Sequence, residues 1–400
     1  MSQVQAIPAP VLPAESRPFV VTAPAATAIP WTIWFVTAGI CCAFIGGTWD
    51  ISWHMSIGRE TFWTPAHLLI QTEAVLVGIA VIYTILTTTF GSDSAAREAS
   101  VEILGLHAPA GTFIAAWGCI SMLTSAPLDN WWHDAYGLDV KIVSPPPHMM
   151  LMLGSLANKF GAMAWMAGLM NRSQGILQRR LVWPLALVGS ICVAQLQIMI
   201  MSPTWIWNMH TATCYLAVAL VMPLMMIATG WGSSHKWGCT IVGLMCTVLT
   251  VGPLWLLPFF PAHPKLGPVY HNVTHMVPLR FPLLLIVPAI VTDLLLQRLP
   301  QRSYWLKALW IGPAFVLSFM AVQWPFANFL MSPASRNWFF GTQYFGYADP
   351  AQFLYDPYQF HVVEKTPLIF MLTMVGALVA SVMTTRMGLA WGNWMRRIRR

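Results

Sequence analysis

Stretches of about 20 mainly apolar residues, the length of helix that crosses the hydrocarbon core of a bilayer, recur along this chain. They fall at 31–53, 65–90, 107–127, 146–170, 181–202, 207–230, 237–259, 275–297, 304–325 and 366–388. With no water in that core, backbone N–H and C=O groups must be satisfied inside the chain, so such segments resolve to helices. The expected fold class is all-α: a polytopic transmembrane helical bundle of about ten membrane spans. Composition agrees, since 57% of the 400 residues are hydrophobic and only 9% are charged, a balance suited to lipid and not to water.

Three regions are expected. Residues 1–30 are rich in Pro and Ala and lack an apolar run ending in a small-residue cleavage site, so they read as a disordered N-terminal tail and not as a cleaved signal peptide. Residues 31–175 hold the first four spans. Residues 176–400 add further membrane helices and a long, aromatic-rich outer loop at 326–365, a segment of the kind that folds as a lid or a packed connection. Arg172, Arg179, Arg180, Lys236, Arg298, Arg302, Arg396, Arg397, Arg399 and Arg400 all fall on one side of a ten-span topology. Basic residues in short loops mark the cytoplasmic side, which puts both termini there. The formal net charge of +7 is thus mainly a topology signal, and the terminal basic run is expected to meet lipid headgroups and not nucleic acid. All seven cysteines lie in apolar spans without a CxxC pair, which points to packing and not to a disulfide framework or a zinc cluster. The chain has no Walker motif, GxGxxG, GxSxG or HExxH, so nucleotide and common hydrolase chemistry lack support.

Histidine is distributed unevenly on this topology. His54, His67, His133, His148, His210, His263, His271, His275 and His361 map to the face opposite the basic loops, and only His107 and His235 map to the other. Ionisable groups cost about 2.5–3.5 kcal/mol each in the middle of a membrane helix, so those retained in or near the bilayer are paired or functional. Asp50 and His54 close span one four residues apart, on one helical face. Thr64 and Pro65 then form a helix start that returns His67 to the same depth. Asp129 and His133 close span three with the same spacing, and Ser144-Pro-Pro-Pro-His148 opens span four. One carboxylate and two imidazoles form a three-ligand set with open coordination positions, suited to copper, iron(II) or zinc. The same residues would also be accounted for as capped, paired polar clusters at helix ends. His271 and His275, with His263 upstream, form a possible third cluster at the outer start of span eight. Met149, Met150, Met152, Met222, Met225 and Met226 are most simply core fillers, and Trp53, Trp131 and Trp132 are placed to wall the ligand sets.

The stretch DISWHMSIGRETFWTPAHLL, residues 50–69, closely resembles the metal-binding hairpin of the C subunit of particulate methane and ammonia monooxygenases. The match lies in Asp50, Ser52, Trp53, His54, Arg59, Glu60, Thr61, Thr64, Pro65 and His67, at the family's Asp-x3-His-x12-His spacing. Residues 128–150 look like the same subunit's second copper site, with His133 and His148 in the histidine positions. Asp129 stands where that family has Asn, a change that adds negative charge, and the loop is about one residue longer. The resemblance covers about residues 50–150. It implies copper as the cofactor, with Asp50, His54 and His67 holding one ion and Asp129, His133 and His148 holding a second, catalytic one. It also implies an oxidoreductase that attacks a small apolar substrate with O2, in a bacterial inner (plasma) membrane, with its sites toward the periplasm. Partner subunits of the monooxygenase type, and homo- or hetero-oligomers, belong to the same expectation. The competing reading is a non-enzymatic membrane protein that binds or transports copper. A conduit would need further ligands at mid-bilayer depth, where Glu73, Asn158 and Lys159 are the main polar residues of the first four spans. A third reading is a structural subunit whose polar clusters only cap helices.

Overall fold

A computed structural model of the chain describes residues 27–58, 63–136, 145–201, 209–264, 273–300, 303–341 and 366–400. Helices α1 (Trp31–Ser56) and α2 (Pro65–Phe90) form a first antiparallel hairpin. The short α3 (Ser94–Glu98) and a hairpin of β1 (Val101–Ile103) with β2 (Leu106–Ala108) lead to a second, α4 (Ala110–Tyr136) and α5 (Pro146–Arg172). The chain continues through α6 (Gly175–Ile200), α7 (Ala212–Gly232), α8 (Gly238–Leu256), α9 (Ile286–Arg298), α10 (Tyr304–Leu330) and α11 (Pro367–Met395).

The all-α bundle is as expected, but eight described helices, not ten, are long and apolar enough to cross a membrane: α1, α2, α4, α6, α7, α8, α10 and α11. Two physical causes account for the difference. Helix α5 has 27 residues, about 40 Å at 1.5 Å each, but Asn158 and Lys159 dilute its apolar character. It is wrapped by protein, with residues 161–168 all buried. The segment expected as a span at 275–297 is helical only over Ile286–Arg298, because Pro278 and Pro282 break the stretch before it. Two boundaries also move. The span expected to begin at 107 begins at Ala110, since Leu104 and Gly105, both at positive φ, turn residues 101–108 into a β-hairpin. The loop expected from 326 begins after Leu330, where α10 ends. The tail to residue 26, Arg59, Glu60, Thr61, Ser144, His271, Arg302, His361 and the stretch 342–365 lie outside the described residues.

One buried apolar cluster runs through the bundle from Ile33 to Met395, so the first four long helices share their core with the rest. Large apolar side chains such as Val75, Ile79 and Ile82 on α2, and Leu372, Val375 and Val379 on α11, are exposed, as lipid-facing surface must be. Hydrogen bonds gather both described chain ends on one face. Arg180 donates to Thr27 O, Arg172 to Ala99 O and Arg399 O, and Asn171 to Met395 O and Ile398 O. The turn ends that carry the Asp and His residues form the opposite face.

Both hairpins close on glycine. A Cβ placed on Gly46 would lie 2.8 Å from Ile70 N, and one on Gly154 would lie 2.8 Å from Gly118 O. Gly39 sits eleven residues before Asp50 and meets Glu73 and Val77 on α2, while Gly118 sits eleven before Asp129 and meets Gly154 and Asn158 on α5. Small residues let membrane helices approach closely enough for van der Waals packing, the main force left between them in lipid. Deeper still, the fully buried Glu73 and Lys159 join α2 to α5, with Lys159 Nζ 3.4 Å from Glu73 Oε2 and Ser155 Oγ donating to the same carboxylate at 2.7 Å.

Two outcomes follow for unfolding measured in detergent. Gly118→Leu destabilises by about 1–3 kcal/mol, the usual cost of overpacking, while Gly47→Ala, whose added Cβ meets nothing within 4 Å, is neutral. Lys159→Met alone, by stranding a buried carboxylate, costs about 3–5 kcal/mol, and adding Glu73→Leu recovers most of that loss.

Candidate metal centres

Each hairpin assembles its ligand set by the same local logic. Asp50 and His54 lie in the last two turns of α1, where a four-residue separation places them on one face. Thr64 caps α2, its Oγ1 accepting a hydrogen bond from His67 N at 3.3 Å, and Pro65 begins the helix with its fixed φ. His67 therefore enters on the first turn of α2, level with the end of α1. In the second hairpin α4 continues through Pro127 to carry Asp129 and His133, and α5 starts on Pro146 and Pro147, just ahead of His148.

The internal distances agree between the two sets. Asp50 Oδ2 is 3.5 Å from His54 Nε2 and Oδ1 is 3.0 Å from His67 Nε2. Asp129 Oδ2 is 3.5 Å from His133 Nε2 and Oδ1 is 3.0 Å from His148 Nε2. The imidazole centroids are 6.3 Å apart in the first set and 6.2 Å in the second. In each set one donor atom per residue lies within 4.8 Å of the other two, and all six residues are half-buried. The 3.0 and 3.5 Å separations run to the two oxygens of one carboxylate, so each carboxylate bridges its two imidazoles. Asp50 Oδ1 and Asp129 Oδ1 are buried, and each lies 3.0 Å from an imidazole Nε2. One carboxylate and two imidazoles at this spacing are a donor set that fits a shared cation.

The surroundings include groups that the linear pattern does not single out. The end of α1 is clamped by the extended segment before α9, where Ser52 Oγ donates to Val277 O at 2.6 Å and Ser56 Oγ accepts from Val277 N at 2.8 Å. The four-residue spacing of the two serines was visible in sequence, but their partner, more than 200 residues away, was not. Trp53 and Trp132 each immediately precede the first histidine of their set, and the Nε1 of each is buried without a hydrogen-bond partner among the described residues. Trp49 and Trp53 also pack on a small cluster of Ile57, Leu257, Ala262 and Met276; Trp131 is exposed.

Of the third candidate cluster, His271 lies outside the described residues. His275 is not on a helix but on an isolated bridge with Pro261, where its Nδ1 lies 2.9 Å from Thr274 Oγ1. Neither His275 nor His263 joins a three-ligand group among the described residues. His210 packs edge-on against Trp324 at 4.8 Å. Met222, Met225 and Met226 are buried in the apolar core. Glu73, Asn158 and Lys159 are engaged with one another, Ser155, Met122 and Cys119, which leaves no run of open ligands beneath the two sets among the described residues.

Compared with protein-family models, curated proteins and solved structures, the chain gives no match.

The metal content of protein purified in detergent and loaded with Cu(II) is expected to be about two ions per chain. His54→Ala/His67→Ala should lower it by one ion and leave the second site occupied, a difference that elemental analysis reads directly. Acid should release both ions, because imidazole binds metal only as the free base.

Proposed function

We propose that the chain is a copper-binding membrane oxidoreductase, or a subunit of one, related to the C subunit of particulate methane and ammonia monooxygenases. The observation that carries this reading is the duplicated geometry: two hairpins, far apart in sequence and different in loop length, each converge one carboxylate and two imidazoles to the same distances. The likeness of residues 50–69 to that subunit's hairpin supports copper over iron and zinc. So does the general order of divalent affinities, which places copper highest for nitrogen and oxygen ligands.

In this reading Asp50, His54 and His67 hold one ion, and Asp129, His133 and His148 hold the other. A copper ion held by these residues would supply the redox chemistry that reduction of O2 needs. The chain's own residues do the rest. The carboxylate of Asp129 stands 3.5 and 3.0 Å from the Nε2 atoms of His133 and His148, so the three residues would turn their donor atoms onto one ion together. Its charge, where the resembling family has an amide, strengthens cation binding and favours the higher oxidation state. Trp53 and the small apolar cluster behind it keep water from the flank of the first set. An apolar substrate reaches the hairpin ends laterally through lipid. The sites face the periplasm of a bacterial inner membrane, and the basic face, with both chain ends, is cytoplasmic by the positive-inside rule. The engagement of Glu73 with Lys159 speaks against a copper conduit through these helices.

The experiment is oxygen consumption with a short alkane or ammonia and an added reductant, using copper-loaded protein in nanodiscs. His133→Ala/His148→Ala should abolish substrate-dependent consumption while retaining one copper per chain. Activity undiminished after loss of that copper would remove the catalytic assignment of the second site.

A further inference from the structure

The two ligand sets share their internal distances but not what stands behind them. On α1 the ligands Asp50 and His54 alternate with Ser52 and Ser56, each about 200° further round the helix than the ligand before it, so the serines face away from the ligand side. Both are buried, at 0% and 2% exposure. Across from them runs the extended segment before α9. There Val277 precedes Pro278, an order that keeps the backbone out of the helical region and leaves the Val277 N–H and C=O to find partners elsewhere.

The two serines take up both groups. Ser52 Oγ donates to Val277 O at 2.6 Å, Val277 N donates to Ser56 Oγ at 2.8 Å, and Ser56 Oγ donates back to Ser52 O at 2.6 Å. Each hydroxyl and each backbone group in this ring has a partner, and a buried polar network that is fully satisfied is rigid. The segment is itself tied down. Met276 N donates to Phe260 O and Ala262 N to Thr274 O, each at 3.0 Å, and Met276 packs with Ile57, Leu257 and Ala262 against Trp49 and Trp53. The last turns of α1 are therefore braced by the chain that follows α8, which supplies no ligand to either set.

The second hairpin departs from this plan. Counting from the acid, Ser52 and Ser56 correspond to Trp131 and Ala135 on α4, and both of those are exposed. The helix that carries Asp129 and His133 thus has exposed side chains where α1 has its buried serine pair.

On the reading that both sets hold copper, we infer that Ser52 and Ser56 are positioning residues for the first set, locking α1 to Val277 so that Asp50 and His54 meet His67 in one fixed geometry. Ligands bind well only when the groups behind them hold their arrangement to a fraction of an ångström. The C-terminal half of the chain thereby sets the metal affinity of a site to which it gives no ligand, and the second set has no such dependence.

The test uses the full chain in detergent in two backgrounds: His133→Ala/His148→Ala, which leaves the first set, and His54→Ala/His67→Ala, which leaves the second. Cu(II) affinity is measured by competition with a chelator, and the surroundings of the bound ion by electron paramagnetic resonance. Ser52→Ala/Ser56→Ala should weaken the first set about tenfold, the lower end of what a metal site loses with its supporting contacts, and should change the hyperfine splitting of its Cu(II). The same pair should leave the affinity and spectrum of the second set as they were. Ser56→Thr, which keeps the hydroxyl, should retain the parent affinity. Should the double variant not fold, Ser56→Ala alone decides, with an expected loss of about threefold for one hydrogen bond. Unchanged affinity and spectrum in the first set, or equal weakening of both sets, overturns the positioning role. A first set that takes up no copper with both serines in place overturns the metal reading and this inference with it, an outcome distinct from the other two.

Discussion

Close backbone contact within the two early hairpins is what the remaining features of this protein depend on. In lipid the apolar surface of a helix gains little by leaving one hydrocarbon environment for another, so helices stay together through tight van der Waals packing and internal polar bonds. Gly39 and Gly46 let α1 approach α2, and Gly111 and Gly118 let α4 approach α5. Each pair is then held in a fixed axial register. That register brings the last turns of one helix level with the first turn of the next, and the side chains on those turns meet as a consequence.

Polar groups in such a bundle have few acceptable positions, and this chain uses three. Some are neutralised inside, as with Glu73 and Lys159, which Ser155 completes through hydrogen bonds. Others satisfy the exposed ends of neighbouring helices, as Asp293 does for α8. Many of the rest collect at the two faces: the basic loops with the chain ends on one, Asp50, Asp129 and their histidines on the other. The acid and imidazole sets differ from the first two groups in one respect. Each gathers one carboxylate and two imidazoles whose donor atoms lie within 4.8 Å of one another at the turn end of a hairpin.

Much of this was legible from residues alone, and the exceptions have particular causes. Helix identity followed from apolar length, and the shared face of Asp50 with His54 and of Asp129 with His133 followed from helical periodicity. The Thr64-Pro65 start of α2 was readable because capping is a local interaction. Apolar content misjudged residues 275–297, since average hydropathy does not register that Pro278 and Pro282 interrupt the helix. It also placed His275 at the start of a span, whereas that residue is bridged to Pro261.

The linear order of residues by itself determined that this chain is an all-helical membrane protein and that two hairpins each carry one acid and two imidazoles, because helix length, capping and four-residue spacing are short-range properties. Only the tertiary structure decided that the two sets share one internal geometry and that Val277 clamps the end of α1. Those juxtapositions join positions up to more than 200 residues apart. Their cause is the packing of helices against one another, a collective fit of whole surfaces that no local window of sequence contains.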